Sequence, residues 1–398
     1  MENRQHIIKS LVVGMALIII LFSDFLAQIS SVFKFTDELI PLFLGCCVIV
    51  KFFRGGGRLL NSKLTYNLII MGCFLTGVAL IGMVSNVIFH YQQFNSVLAD
   101  AFIVFKGFLT YIFSCLLFTS DPFKDVRGTI NTLLKGLTLG IFIVTLINYI
   151  YPIYPIEDQR MGIDSQKLMF TAPTYLATFG VCLVALLSRF LEEYKTNFYY
   201  IILANFIIAS TLRSKGLMFI AIYVLLFFFL IIKKKRLTKK MLIIIGCVGV
   251  LIGSTQMHKY ISNPDWARSA LMINSFNVAN DHFPLGGGFA TFATWESGES
   301  YSPLYEKYGL DQIWGLQPDD YGFVGDTYWP AIIGQFGYIG LALVLFAIVI
   351  IFLNISMEQN RFKYFQRMSV LAYLLILSTA ETSFMSPVGP LLCLLLVI

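Results

Sequence analysis

The sequence predicts an all-α fold, a polytopic membrane protein of about twelve transmembrane helices with one large extracytoplasmic loop between spans 9 and 10. Three observations predict it. Hydrophobic residues make up 57% of the 398-residue chain and charged residues only 13%, with a mean hydropathy of +0.75, far from the balance of a soluble domain. The apolar residues come in blocks of about 17–25, the length that crosses roughly 30 Å of hydrocarbon at about 1.5 Å per helical residue. The polar stretches between the blocks are short, with one exception late in the chain.

Read in order, the blocks fall near 7–23, 38–53, 67–89, 97–118, 133–150, 170–188, 198–212, 216–232, 241–257, 326–353, 368–383 and 385–398. The first follows Arg4 and Lys9 as a signal peptide would, but it has no small-residue cleavage site and many spans come after it. It reads as a retained first helix. Residues 1–398 form a single integral membrane domain on this reading, and 258–325 its large periplasmic or extracellular loop. All seven cysteines lie within predicted spans without metal-ligand spacing, which argues against a disulfide or zinc function.

Charge sets the expected orientation. The clusters Lys51/Arg54/Arg58/Lys63, Lys124/Arg127/Lys135, Arg189/Lys195, Lys233–Arg236 with Lys239 and Lys240, and Arg361/Lys363/Arg367 fall on alternate loops, on the side of Arg4 and Lys9. The positive-inside rule makes that side cytoplasmic, with both termini inside. The acidic residues gather on the other side, among them Asp281, Glu296, Glu299, Glu306, Asp311, Asp319, Asp320 and Asp326.

Against that trend, Arg160, Arg213 and Arg268 sit on the outer side, and Lys215 shares a tight turn with Arg213. A guanidinium is a planar fork that grips phosphate oxygens in pairs and keeps its charge at any relevant pH. Converging arginines therefore suit a pyrophosphate, although each could instead pair with a nearby acid, as Arg160 could with Glu157 or Asp158. Lys106 lies well inside span four, where a charge needs a cavity or a partner. It is either a second phosphate contact or half of an ion pair with another span, since Asp100 falls on a different helix face.

Asp326 opens span ten at the outer rim and is the first candidate for a catalytic or acceptor-orienting carboxylate, a role compatible with capping the helix. His282 is either a base or an ordinary interface residue. The run Gly286-Gly287-Gly288 lacks the Gly-Lys-Ser/Thr of a nucleotide-binding loop, so it either lets backbone approach a ligand or makes a turn. Gly334, Gly337 and Gly340 read as helix-packing positions. Trp266, Trp295 and Trp314 in the long loop fit an interfacial aromatic belt and sugar stacking equally well.

In this order and spacing, the pieces resemble the O-antigen ligase/polymerase superfamily. They are Arg160-Met161-Gly162 leading to Pro173, Leu212-Arg213-Ser214-Lys215 between paired helices, Arg268 followed by His282-x-Pro284-Leu285-Gly286-x-Gly288, and Asp326-Thr327-Tyr328 with Gly337 and Ile339-Gly340-Leu341 beyond. The last piece is similar to the ligases' His-Asn-x-x-Leu segment, with aspartate in place of the histidine, which favours a Wzy-type O-antigen or capsule polysaccharide polymerase. The resemblance implies a bacterial inner-membrane glycosyltransferase with its active site on the periplasmic or extracellular side. It implies metal-independent, cofactor-free, inverting transfer of a polyprenyl-pyrophosphate-linked oligosaccharide to a sugar hydroxyl. Arg160, Arg213, Lys215, Arg268 and Lys106 would hold the pyrophosphate, and Asp326 and His282 would serve the acceptor. Membrane lipid and a chain-length regulator are the further partners it allows, and nucleic acid is not among them. A ligase transferring polymer to lipid A-core and a lipid-linked oligosaccharide flippase are the alternative readings. The flippase is disfavoured because no internal repeat is visible.

Overall fold

The computed structural model describes residues 14–54, 63–238 and 265–398, apart from positions 120, 157 and 161, together with positions 240, 241, 244 and 246. The helices run in the order α1 (Ser23–Ile29), α2 (Thr36–Arg54), α3 (Lys63–Phe89), α4 (Phe94–Leu117), α5 (Arg127–Ile150), α6 (Pro173–Arg189), α7 (Asn197–Ser210), α8 (Ser214–Leu226, continued as a π-helix through Ile232), α9 (Ala267–Asp281), α10 (Trp295–Glu299), α11 (Pro303–Lys307), α12 (Tyr328–Ser356), α13 (Arg361–Leu377) and α14 (Gly389–Leu395). Between α5 and α6 a two-residue antiparallel hairpin pairs β1 (Gln159–Arg160) with β2 (Ile163–Asp164), a small departure from an all-helical chain.

Among the described residues, five helices are long and apolar enough to cross a membrane: α3, α4, α5, α8 with its π-helical extension, and α12. The chain is a multi-pass membrane protein. About twelve spans were expected; α6 and α7 are shorter apolar helices at the places predicted for two of them, and others differ from expectation or fall partly outside the described residues. The predicted span 385–398 is mostly the seven-residue α14, which at about 1.5 Å per residue reaches only about a third of the way across hydrocarbon. The predicted span 368–383 ends early, because α13 stops at Leu377 and Glu381 lies in the turn beyond it. The predicted span 241–257 lies outside the described residues except for positions 241, 244 and 246, as does the start of the first span before residue 14.

Burial sorts the helices into layers. On α6 every side chain from Leu176 to Arg189 is buried, the signature of a helix enclosed on all sides. It packs against α5, α7 and α13. On α3 and α12 one face is exposed and apolar, with Tyr66, Ile69, Leu80 and Val87 on the first and Leu345, Phe346, Val349 and Leu353 on the second. In water such faces would be an aggregation hazard; against lipid tails they are the natural surface.

The two ends of the bundle differ in charge. At one end Asp121 accepts contacts from Arg127 (2.9 Å), Arg189 (2.9 Å) and Lys363 (3.0 Å), tying the start of α5 and the end of α6 to the start of α13. At the other end lie the hairpin, the α7–α8 turn, Glu381 and the start of α12.

The long loop folds as a cap built from α9, α10 and α11, and its glycine run enters the bundle. Gly337 interrupts α12 with φ 62° and ψ −165°, a conformation essentially reserved for glycine. The interruption strands the carbonyls of Gly334 and Gln335, and the N–H groups of Gly287 (2.8 Å) and Gly288 (2.9 Å) take them up. A Cβ on Gly286 would lie 2.5 Å from the Gly337 nitrogen, so only glycine lets the two backbones meet. From α3, Asn86 pairs with both backbone groups of Phe289 (2.7 and 3.0 Å) and Ser85 donates to the Gly286 carbonyl (2.5 Å). Asp100 on α4 accepts the Ala290 N–H at 2.7 Å. Residues Phe289 to Ala293 are thereby fully buried. This corrects the reading of Gly337 as a helix-packing position, since it makes a break that the Gly286–Gly288 run fills.

Replacement of Gly337 by Ala is expected to cost about 1–3 kcal/mol through its backbone conformation alone. Gly140→Ala on α5, where a Cβ meets nothing within 4 Å, should be neutral or stabilising by up to about 1 kcal/mol. Thermal unfolding of the purified variants in detergent, followed by size-exclusion monodispersity, checks both; equal midpoints would remove the role assigned to the break.

Candidate functional site

Four of the five predicted phosphate-binding cations assemble at the end of the bundle that carries the hairpin. The segment after β2 is pinned to the α7–α8 turn, where the Gln166 N–H bonds to the Ser210 carbonyl (3.0 Å) and the Ser165 hydroxyl to that of Thr211 (2.7 Å). Arg160 consequently reaches the turn, and its guanidinium contacts the Leu212 carbonyl at 3.4 Å. Arg213 is the N-cap residue of α8 with extended backbone, so the chain turns there and Lys215 follows within the first helical turn. Arg268 stands in the first turn of α9, within electrostatic reach of Lys215. The N-terminus of α8 adds its partial positive charge.

Carboxylates are interleaved with these cations. Asp158 bonds Arg160 at 2.9 Å, and that guanidinium, with Arg213 beyond it, holds Asp158 below the usual carboxylate range. Lys215 is ion-paired with Glu381. Arg268 bonds Asp326 at 2.7 Å. Asp326 does not cap α12: the helix begins at Tyr328 with Thr327 as its N-cap residue, which leaves the Asp326 carboxylate facing Arg268.

Two predicted site residues lie elsewhere. Lys106 is buried and ion-paired with Asp37 of α2. The pair alternative read from the sequence is the arrangement found, with Asp37 rather than Asp100 as partner. Asp37 lines a cavity of about 170 Å³ together with Asp24, Lys34, Tyr175 and Thr178.

His282 is at the opposite end of α9 from Arg268, about 21 Å away at 1.5 Å per residue. The structure does not bring it to Asp326, and the two cannot serve one acceptor hydroxyl. Its Nδ1 donates to the Val278 carbonyl (2.8 Å), which leaves Nε2 to accept from the Tyr91 hydroxyl (2.9 Å). The ring is buried edge-on to Phe89 and Tyr91. This is a staple between α9 and the α3–α4 turn, and burial holds the imidazole below its ordinary range.

Sequence reasoning passed over Glu381, Asp37 and Tyr91. An acid inside a predicted apolar span, as Glu381 was, is itself a signal that a cation waits nearby. Tyr91 carried no such signal. A second cavity, of about 250 Å³, opens beside Arg268 and Asp326 and is lined by Asp265, Trp266, Ala267, Trp314 and Phe323. No protein-family model matches the chain, and no curated protein is significantly similar to it.

Chemically, the group offers an anion three guanidinium groups and one ammonium from three separate parts of the chain, with the carboxylates of Asp158, Glu381 and Asp326 among them. Lys106→Met is expected to cost about 3–5 kcal/mol because it leaves a buried Asp37 unpaired, and Lys106→Met combined with Asp37→Leu to recover most of it. Unfolding midpoints in detergent decide this, and a single variant as stable as wild type would show the pair to be dispensable.

A second expectation concerns pH. The folded protein resists protonating His282, so below its ordinary value of about 6.5 the unfolded chain binds more protons. Stability from this group is full above that pH and falls as the pH drops, with Asp281 and Lys307 as its charged neighbours. The midpoint should be lower at pH 5 than at pH 7.5, by less in His282→Gln than in wild type.

Proposed function

We propose that the protein is an extracytoplasmic polysaccharide polymerase, a glycosyltransferase that joins a polyprenyl-pyrophosphate-linked glycan to the sugar hydroxyl of another lipid-linked repeat unit. The observation that carries the proposal is the convergence of Arg160, Arg213, Lys215 and Arg268, from three separate parts of the chain, beside the Asp326 carboxylate. Cations on the side that disfavours them, gathered at one end of a lipid-facing bundle, suit a ligand that is both anionic and anchored in the membrane.

In the reaction, the acceptor hydroxyl attacks the anomeric carbon of the donor sugar and forms the new C–O bond. The bond from that carbon to the phosphate oxygen breaks, and its electron pair leaves on the pyrophosphate. The hydroxyl proton passes to the Asp326 carboxylate, which lies at the edge of the cation group. Negative charge develops on the leaving oxygen, where guanidinium and ammonium groups already held in place by their carboxylate partners stabilise it. Arg160 and Arg268, each holding one carboxylate oxygen through one N–H, can offer the fork of a guanidinium to phosphate oxygens. His282 has no part in this scheme, because its ring nitrogens are engaged by Val278 and Tyr91. Lys106 stabilises α4 against α2 rather than touching phosphate.

The test is deletion of the gene in its host, complementation at matched protein levels, and display of the surface glycan on a gel. Deletion should leave single-unit glycan, and wild type should restore the ladder. Arg213→Ala, Arg268→Ala and Asp326→Ala should each reduce the ladder by at least about 100-fold, the loss typical when one preorganised transition-state contact is removed. Polymer accumulating on the lipid carrier with none at the surface would indicate a ligase, and a full ladder in the deletion strain would end the proposal.

A further inference from the structure

Beyond the cation group, the cavity beside it has a lining that a phosphate does not need. Trp314 is 70% exposed and Trp266 45%, yet both line one concave space with Phe323, Arg268 and Asp326. The Trp314 ring is held against Phe323 with centroids 4.9 Å apart and planes at 81°. Exposed rings on a loose loop would carry little meaning, but this loop is fixed. The Phe323 N–H bonds to the Gly315 carbonyl at 3.0 Å, and Gln317 and Asp320 exchange backbone bonds of 3.0 and 3.1 Å. The Tyr301 hydroxyl holds the Leu316 carbonyl at 2.7 Å, and Leu316 itself is buried. At Gly315, with φ +80°, a Cβ would lie 2.1 Å from the Phe323 ring, so the chain must run bare past Phe323 for Trp314 to stand where it does.

We infer that this cavity is a sugar-binding subsite, in which one pyranose ring of the acceptor glycan lies among Trp266, Trp314 and Phe323 and hydrogen-bonds through its hydroxyls to the Arg268–Asp326 pair. The assignment rests on the glycan-transfer reading above and adds to it which substrate the cap holds and with which residues. An apolar ring face beside a polar rim is what a pyranose presents, with C–H groups on its faces and hydroxyls around its edge, and the cavity offers the matching pair of surfaces. An isoprenoid chain fits less well, because it would cover the partly exposed Arg268–Asp326 pair and return no hydrogen bond for the water removed. A bilayer-interface belt requires no concavity and no ion pair on its floor. With Arg268 shared between the cavity wall and the cation group, a ring seated here has its hydroxyls beside the place proposed for the donor pyrophosphate.

The experiment uses the full chain in detergent and two probes: the single repeat unit released by mild acid from the host's surface polysaccharide, and inorganic pyrophosphate. Binding is read by calorimetry and by quenching of tryptophan fluorescence. Trp314→Ala, at an exposed position, should weaken repeat-unit binding at least tenfold and leave pyrophosphate binding within about twofold, while Trp314→Phe retains most of the sugar affinity. Arg213→Ala should do the reverse. Equal repeat-unit affinity in wild type and Trp314→Ala overturns the subsite, as does a loss that Trp314→Ala shows only for partitioning into vesicles. Repeat-unit binding that depends on Trp314, together with an unchanged surface ladder in the deletion strain, upholds the subsite and overturns the polymerase reading instead.

Discussion

A backbone group in hydrocarbon must find its partner within the protein, and in this chain that constraint is concentrated at one place. The break at Gly337 strands two carbonyls in the middle of the longest helix, and the glycine run of the cap supplies the N–H groups they need. Neither element is viable alone. An interrupted α12 would leave two carbonyls unpaired in the protein interior, and the run from Gly286 to Ala293 could not lie buried without Asn86, Asp100 and the α12 carbonyls to receive it. The exchange fixes the cap to α3, α4 and α12 at once.

From that anchoring follow the positions of Arg268 and Asp326. Helix α9 leads directly into the glycine run, so seating the run sets the direction of α9 and places Arg268 at its far end. The start of α12 on the other side of the break carries Asp326 to the same point. Their 2.7 Å contact joins the two arms that lead away from one junction. Arg160, Arg213 and Lys215 arrive independently, through a hairpin docked on the α7–α8 turn. Charge in such a place needs compensation, and Asp158, Glu381 and Asp326 supply it. The His282 staple belongs to the anchoring rather than to the chemistry, since it binds the C-terminal end of α9 to the α3–α4 turn.

The sequence by itself determined the solvent of this protein. Apolar blocks of spanning length and a scarcity of charge leave no soluble alternative, and the uneven distribution of Lys and Arg foretells two chemically different ends. It also singled out Arg160, Arg213, Lys215 and Arg268, because a cation is conspicuous where the charge rule disfavours it. These properties are legible because each depends on residue type and on distance along the chain alone.

Tertiary structure decided which of those residues meet. Lys106 and Arg213 looked alike as misplaced cations, yet one is paired with Asp37 between helices and the other stands at a helix cap beside Arg160. His282 and Asp326 looked like partners, yet a whole helix separates them. Helix count suffered in the same way, since the segment that forms α14 is as apolar as a span yet folds as a helix of seven residues, too short to cross, and its burial comes from neighbours. The physical reason is common to all three. Partners in an ion pair, a helix break or a cavity come from segments distant in sequence, and their meeting is fixed by how helices pack and by which backbone groups must be satisfied, neither of which a residue records about itself.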